Sequence, residues 1–197
     1  MPHSAPDDAT VDATRDAVMD VAVDADGEGD ADGGLDVEMA SPDKPAARLS
    51  LVDHHLWERL EAELDPGEDR PDDVVCEAMA TRAEPLGEEL TFGIDTELCN
   101  YLAVQQPTRE AVVVGETIFV RLWHFSLSAP EPAMAHAWLS VGGRVILDEN
   151  VPIPSEGGLI TAEVVVEQDI AAGSPVYFHL HNHGENSWAL VEVSAGP

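Results

Sequence analysis

Residues 178 to 183 read Phe178, His179, Leu180, His181, Asn182 and His183, and an extended backbone sends alternate side chains to opposite faces, so three imidazoles share one side. Imidazole is the commonest metal-ligating side chain and the only one whose unperturbed charge change falls near neutral pH. The chemistry on offer is metal ligation or a proton-sensitive binding face. Side chains two residues apart on a strand root about 6.5–7 Å from each other, close enough for two imidazoles to meet at one ion; three in a row need a bend. His179 and His181 are the first candidate ligands, for zinc or copper ahead of calcium on donor type. A further ligand must come from Glu185, from His124 or from His136. His124 continues the face of Ile118, Val120 and Leu122 and reads as a hydrogen-bonded core histidine ahead of a ligand.

The strand that carries these residues has its own polarity. Val176, Phe178 and Leu180 share the face that belongs in a core, and Tyr177, His179, His181 and His183 share the other, which should face water. In the last apolar run Ala189, Val191 and Val193 alternate with Trp188, Leu190 and Glu192. A hairpin through Gly184 to Ser187 would join Tyr177, His179, His181, His183, Trp188 and Glu192 into one strip. Flat rings beside hydrogen-bonding groups suit a carbohydrate or a protein partner. The plainer alternative is structural: Asn182, Gly184 and Asn186 are turn residues, and the histidines beside them then serve only to lock a corner.

Gly173, His179, His181 and Glu185 also stand at the spacing of a cupin's first metal motif, which residues 173–185 resemble. The resemblance implies a β-barrel in which His179, His181 and Glu185 hold the ion. It breaks at Glu192, where the motif has glycine, and only Val193 to Pro197 remain for the second motif and its histidine.

Eight β-type runs follow residue 88: Leu90 to Asp95, Cys99 to Val104, Thr117 to Leu127, Ala133 to Val141, Arg144 to Val151, Leu159 to Glu167, Pro175 to His183 and Trp188 to Ser194. Gly142-Gly143 is a two-residue hairpin signal, because both glycines accept positive φ. Short connections favour antiparallel neighbours. The expected fold is an all-β antiparallel sandwich over 88–197, jelly-roll or immunoglobulin-like. Residues 49–87 are expected to supply one helix and a connection. Ser50 with Asp53 resembles a capping box, Leu56, Leu60 and Leu64 recur every four residues, and Pro66-Gly67 ends the pattern. His54 and His55 would sit in its first turn about 100° apart, too divergent for one ion.

Residues 1–48 are rich in Asp, Ala and Gly and read as a disordered acidic tether, since they offer too little apolar surface to offset ordering. Asp24 to Gly33 is similar to calcium-binding Asp/Gly repeats, but Leu35 stands where an EF-hand loop needs its bidentate Glu. The formal charge of −30 is spread along the chain: acids outnumber bases 13 to 3 in residues 1–48, 16 to 4 in 49–110 and 10 to 2 in 111–197. Lys44 is the lone lysine. Such a surface disfavours nucleic acid and anionic membranes and suits a high-salt environment or simple solubility. No run approaches a membrane span.

Met1 to Gly34 has no export signal, which taken literally means cytoplasm. Two features favour an extracytoplasmic, secreted or surface-tethered protein. Cys76 and Cys99 form the single intramolecular pair available, and the Asp/Gly/Ala opening resembles spacers of bacterial surface lipoproteins. No phosphate loop, nucleophile elbow or HExxH helix occurs. Two function classes remain: a noncatalytic binding or structural module, and a metal-binding protein or metalloenzyme using the histidine strip.

Overall fold

The computed structural model describes residues 47–67 and 69–197. The acidic tether and the Asp24 to Gly33 repeat lie outside the described residues. The eight expected strands all form: β4 (Glu89–Asp95), β5 (Tyr101–Pro107), β6 (Thr117–His124), β7 (Ala133–Val141), β8 (Arg144–Ile153), β9 (Gly158–Val165), β10 (Pro175–His181) and β11 (Ser187–Gly196). Before them come β1 (Leu49–Ser50), β2 (Glu58–Arg59) and β3 (Thr81–Leu86). One sheet runs β3-β4-β11-β6-β9, with β1 also on β11, and the other runs β2-β5-β10-β7-β8; every pairing is antiparallel. From β4 to β11 the chain changes sheet at every step except the β7–β8 hairpin, so that 4-11-6-9 faces 5-10-7-8, the double Greek-key order of a jelly roll.

Alternation fills the space between the sheets. Phe178, Leu180, Val176, Leu139, Ala137, Leu122, Ile118, Leu190 and Trp188 are all buried in one cluster. At the β7–β8 hairpin Gly142 and Gly143 take φ of 57° and 82°, a left-handed pair that only glycine enters without steric cost.

The expected helix over Ser50 to Leu64 does not form. Its backbone groups find better partners in the sheets: the Leu51 N–H donates to Val193 O, the Arg109 N–H donates to Leu51 O, and the Asp53 N–H donates to the Gln106 side chain. Asp53 Oδ1 accepts from the His55 N–H, a local turn that competes with helix. Burial follows the strand solution. Leu51, Val52 and Leu60 are buried, whereas Leu56 and Leu64 are 55% and 64% exposed. The helical content of the described residues is two short 3-10 turns, Ala62–Leu64 and Ala78–Ala80. No helix among them is long and apolar enough to cross a membrane.

The second correction concerns the chain end. β10 and β11 do not pair; they lie in opposite sheets, each between two other strands, and residues 182–186 carry the chain across one end of the sandwich. Buried Asn182 donates through Nδ2 to Thr96 Oγ1, whose hydroxyl donates to Asn186 O, and the Asn182 N–H donates to Asn100 O. Asn186 Oδ1 accepts from the Ser128 N–H at 2.6 Å. The turn residues thus form the locked corner of the structural alternative, but between sheets rather than within one.

Candidate functional site

The outward face of β10 lies in the middle of the second sheet, and register decides its neighbours. His181 stands between Tyr101 of β5 and His136 of β7; His179 stands between Ala103 and Trp138, with Asp148 of β8 next beyond. All of these side chains point away from the core. They do not all face water.

Residues 60–67 and 69–76 cross over this face as a strap. β2 seats it on the edge of β5, where the Leu60 N–H donates to Ala103 O, and Cys76 anchors its far end by a disulfide to Cys99. The strap's Leu60 and Val74 pack on Tyr101, Ala103 and Tyr177 as a small second cluster. Asp65 fixes its middle: one carboxylate oxygen accepts from Tyr101 OH at 2.7 Å and from Arg70 at 2.9 Å, the other from the Gly67 N–H at 2.9 Å. Burial, and then the Asp65 carboxylate, push the Tyr101 hydroxyl's pKa upward, so it stays protonated and donates. Gly67 lies flat on the site. A Cβ there would stand 2.5 Å from Tyr101 OH and 2.6 Å from His179 Nδ1, so a larger residue would displace them.

This seating delivers Asp69 to the imidazoles. Its Oδ1 lies 3.0 Å from His179 Nε2, and its Oδ2 lies 3.0 Å from His136 Nδ1 and 3.1 Å from His181 Nδ1. His136 Nε2 meets Asp148 Oδ1 at 2.9 Å. Ligand atoms of Asp69, His136 and His179 all fall within 4.8 Å of one another. With Pro66, Gly67, Trp138 and Asp148 they line a cleft of about 290 Å³ that opens to solvent.

Electrostatics separate the groups. Burial favours the neutral form of Asp69, but hydrogen bonds from His136 and His181 and the nearby His179 outweigh it and hold the pKa below the ordinary value. Burial likewise works against charge on His136, and there its bonds to Asp148 and Asp69 prevail, raising the pKa. For His179 burial dominates and the pKa is lowered despite Asp69. Neutral His179 presents lone-pair nitrogen, and ionised Asp69 presents carboxylate oxygen. His179 is 2% exposed, and neither of its ring nitrogens has a hydrogen-bond partner among the described residues; Asp69 Oδ1, though 3.0 Å from His179 Nε2, has none either.

The structure divides the residues singled out from sequence. His179, His181 and His136 come together, Tyr177 packs against the strap cluster, and His183 is exposed with its ring 4.6 Å from that of His181. Trp188 and Glu192 do not join them. Trp188 is buried in the core at 1% exposure, and Glu192 lies on the first sheet, 2.7 Å from Arg121. The continuous strip therefore does not exist, because its hairpin does not. His124 also belongs to the first sheet, its Nδ1 3.0 Å from Phe125 O and its ring 4.9 Å from that of Trp188. Glu185 is an exposed corner residue outside the cluster, so the ligand set implied by the cupin resemblance is not assembled. Sequence reasoning missed Asp69 and Asp148. Among 39 acidic residues neither carries a local signal.

Fold and site together define a jelly-roll sandwich with a strapped, histidine-lined cleft on one sheet. No family model and no curated protein matches the chain. Among solved structures it is similar to an arabinose-bound GH51 α-L-arabinofuranosidase (11% identity, TM-score 0.42, covering 75% of this chain and 26% of that one). It is also similar to the CBM22-1 xylan-binding domain from Paenibacillus barcinonensis (14%, 0.37, 77% and 95%) and to a CBM4 structure (10%, 0.35, 59% and 78%). The chain spans about a quarter of the arabinofuranosidase. None of these scores reaches 0.5, and the fold and site stand on the geometry above.

Proposed function

We propose that this chain is a noncatalytic binding module whose ligand is a carbohydrate seated in the cleft beneath the strap. The observation that carries the reading is Trp138, half-buried in the wall of an open cleft whose other walls are Asp148, Asp69, His136 and Pro66. A flat ring offers area to the apolar face of a sugar, and carboxylates and imidazoles offer directional partners to its hydroxyls. A cleft of few, fixed polar groups beside an aromatic wall is the usual form of a small-molecule site. Asp69 stays ionised between three imidazoles, which suits an acceptor better than a general acid. The acidic residues 1–48 fit a tether holding the module at a bacterial surface, a role that their composition alone supports.

The test is affinity electrophoresis and fluorescence titration of the full chain against soluble xylan, galactan, arabinan and β-glucan. At least one polymer should retard the protein, and Trp138→Ala should weaken that binding by 30-fold or more, since a central aromatic anchor contributes about 2 kcal/mol or above. Retardation that Trp138→Ala leaves intact, or no retardation by any polymer, refutes the assignment.

A further inference from the structure

We infer that Asp69, His136 and His179 form a three-ligand site for a divalent zinc- or copper-type ion at the inner end of the cleft. The inference shares the cleft with the carbohydrate reading but does not need a sugar to be bound.

His179 is buried, and neither ring nitrogen has a partner among the described residues. A buried polar group left without a partner costs about 1–3 kcal/mol, and native proteins rarely keep one without a reason. His179 has two such nitrogens at 2% exposure. The strap passes over it with Gly67, where a Cβ would meet the ring, and among the described residues donates nothing to it. Nε2 approaches Asp69 Oδ1 to 3.0 Å, yet the two are not aligned as donor and acceptor. Two electron-pair donors side by side, each aimed past the other, are what an ion between them requires.

The spacing suits a metal ion. Bonds of about 2.0–2.2 Å from zinc to nitrogen and oxygen place tetrahedral ligand atoms about 3.3 Å apart. Asp69 Oδ1 lies 3.0 Å from His179 Nε2, close to that spacing, while His136 Nδ1 lies 3.0 Å from the other carboxylate oxygen, Oδ2. All three ligand atoms lie within 4.8 Å of one another, so closing the set onto one ion takes small rotations of His136, which is on the cleft wall and half-buried.

The groups around the ligands hold them in place. A metal-bound histidine usually gives its other N–H to a carboxylate, which fixes ring and tautomer. His136 has this partner: Nε2 meets Asp148 Oδ1 at 2.9 Å while Nδ1 faces Asp69. Asp69 is oriented in the same way, since His181 Nδ1 lies 3.1 Å from Oδ2 and leaves Oδ1 toward His179. His181 and Asp148 are thus positioning residues. Two imidazoles and one carboxylate suit zinc or copper; calcium would need six to eight oxygens. Three protein ligands leave one position facing the cleft mouth.

Chelator-treated full-length protein titrated calorimetrically with Zn²⁺ alone should bind one ion per chain with high affinity, and Ca²⁺ should not compete for it. His179→Leu, Asp69→Asn and His136→Ala should each weaken zinc at least 100-fold, and Asp148→Asn by 10–100-fold. Asp69→Asn removes the ligand from the strap without altering the sheet, so a misfolded His179 variant does not leave the outcome open. Absence of stoichiometric zinc, or zinc bound equally well by all the variants through the acidic residues 1–48, overturns the inference. A protein that fails this test but is still retarded by a polysaccharide through Trp138 keeps the binding-module reading; zinc without sugar refutes that reading and leaves the ion.

Discussion

His124 and His179 are both buried histidines on antiparallel strands, one in each sheet, and they are built for opposite ends. His124 lies against Trp188, its cross-strand partner, and its Nδ1 meets Phe125 O at 3.0 Å. It completes the end of a core. His179 packs against Tyr101, ring centroids 4.9 Å apart, but has no hydrogen-bond partner at either nitrogen among the described residues, and a strap from elsewhere in the chain covers it. Burial alone does not separate a structural histidine from a ligand. The partners of its nitrogens do.

The largest effect that tests this contrast lies on the structural side. Trp188→Ala empties the space beneath His124 and should cost about 3–5 kcal/mol in urea unfolding. A loss under 1 kcal/mol would mean that this end of the sandwich is not packed as described. Next comes a difference of sign. In chelator-treated protein His179→Leu should leave stability unchanged or raise it by about 1 kcal/mol, because it replaces an unpartnered buried imidazole with an apolar group of similar size. His124→Leu should lower stability by about 1 kcal/mol, since it gives up a made hydrogen bond. Equal losses at both positions would erase the distinction.

The smallest effect is a pH dependence at a third histidine. Burial lowers the pKa of His54 below its ordinary value, although its contact with Val191 O opposes the shift. The unfolded chain therefore takes up this proton first on acidification. The stabilising contribution is present above the ordinary value of 6.5 and is lost as pH falls below it toward the folded value. Unfolding followed from pH 7.5 to 5 in chelator-treated protein should show a shallower decline for His54→Gln than for the parent. Parallel curves would show that His54 is as hydrated in the folded chain as in the unfolded one.

Legibility followed physical range. Eight strands were visible because alternation and turn residues are local, and Gly142-Gly143 marked a hairpin that formed. The helix over Ser50 to Leu64 was misread because its leucine spacing is also satisfied by a chain laid along two sheet edges, where Leu51 and Leu60 are buried and Leu56 and Leu64 are not. β3 escaped notice, as its Pro85 argues against a strand, yet it runs along the sheet's edge, where a missing N–H is tolerated. Of the site, the imidazole-bearing face was readable and its acidic partners were not. Asp69 meets His179 across 110 residues of sequence, a distance over which no periodicity speaks.

Period-two patterning, a property of the backbone, determined which side of β10 carries Val176, Phe178 and Leu180 and which carries Tyr177, His179 and His181. Tertiary structure decided what covers each side. The apolar side meets the opposite sheet; the polar side meets a strap held by β2, Asp65 and the Cys76–Cys99 bridge, which buries His179 and brings Asp69 to it. Alternation acts between neighbours along one strand, whereas the strap's course depends on pairings among distant segments. For that reason the histidines expected to face water became, in part, the floor of a covered cleft.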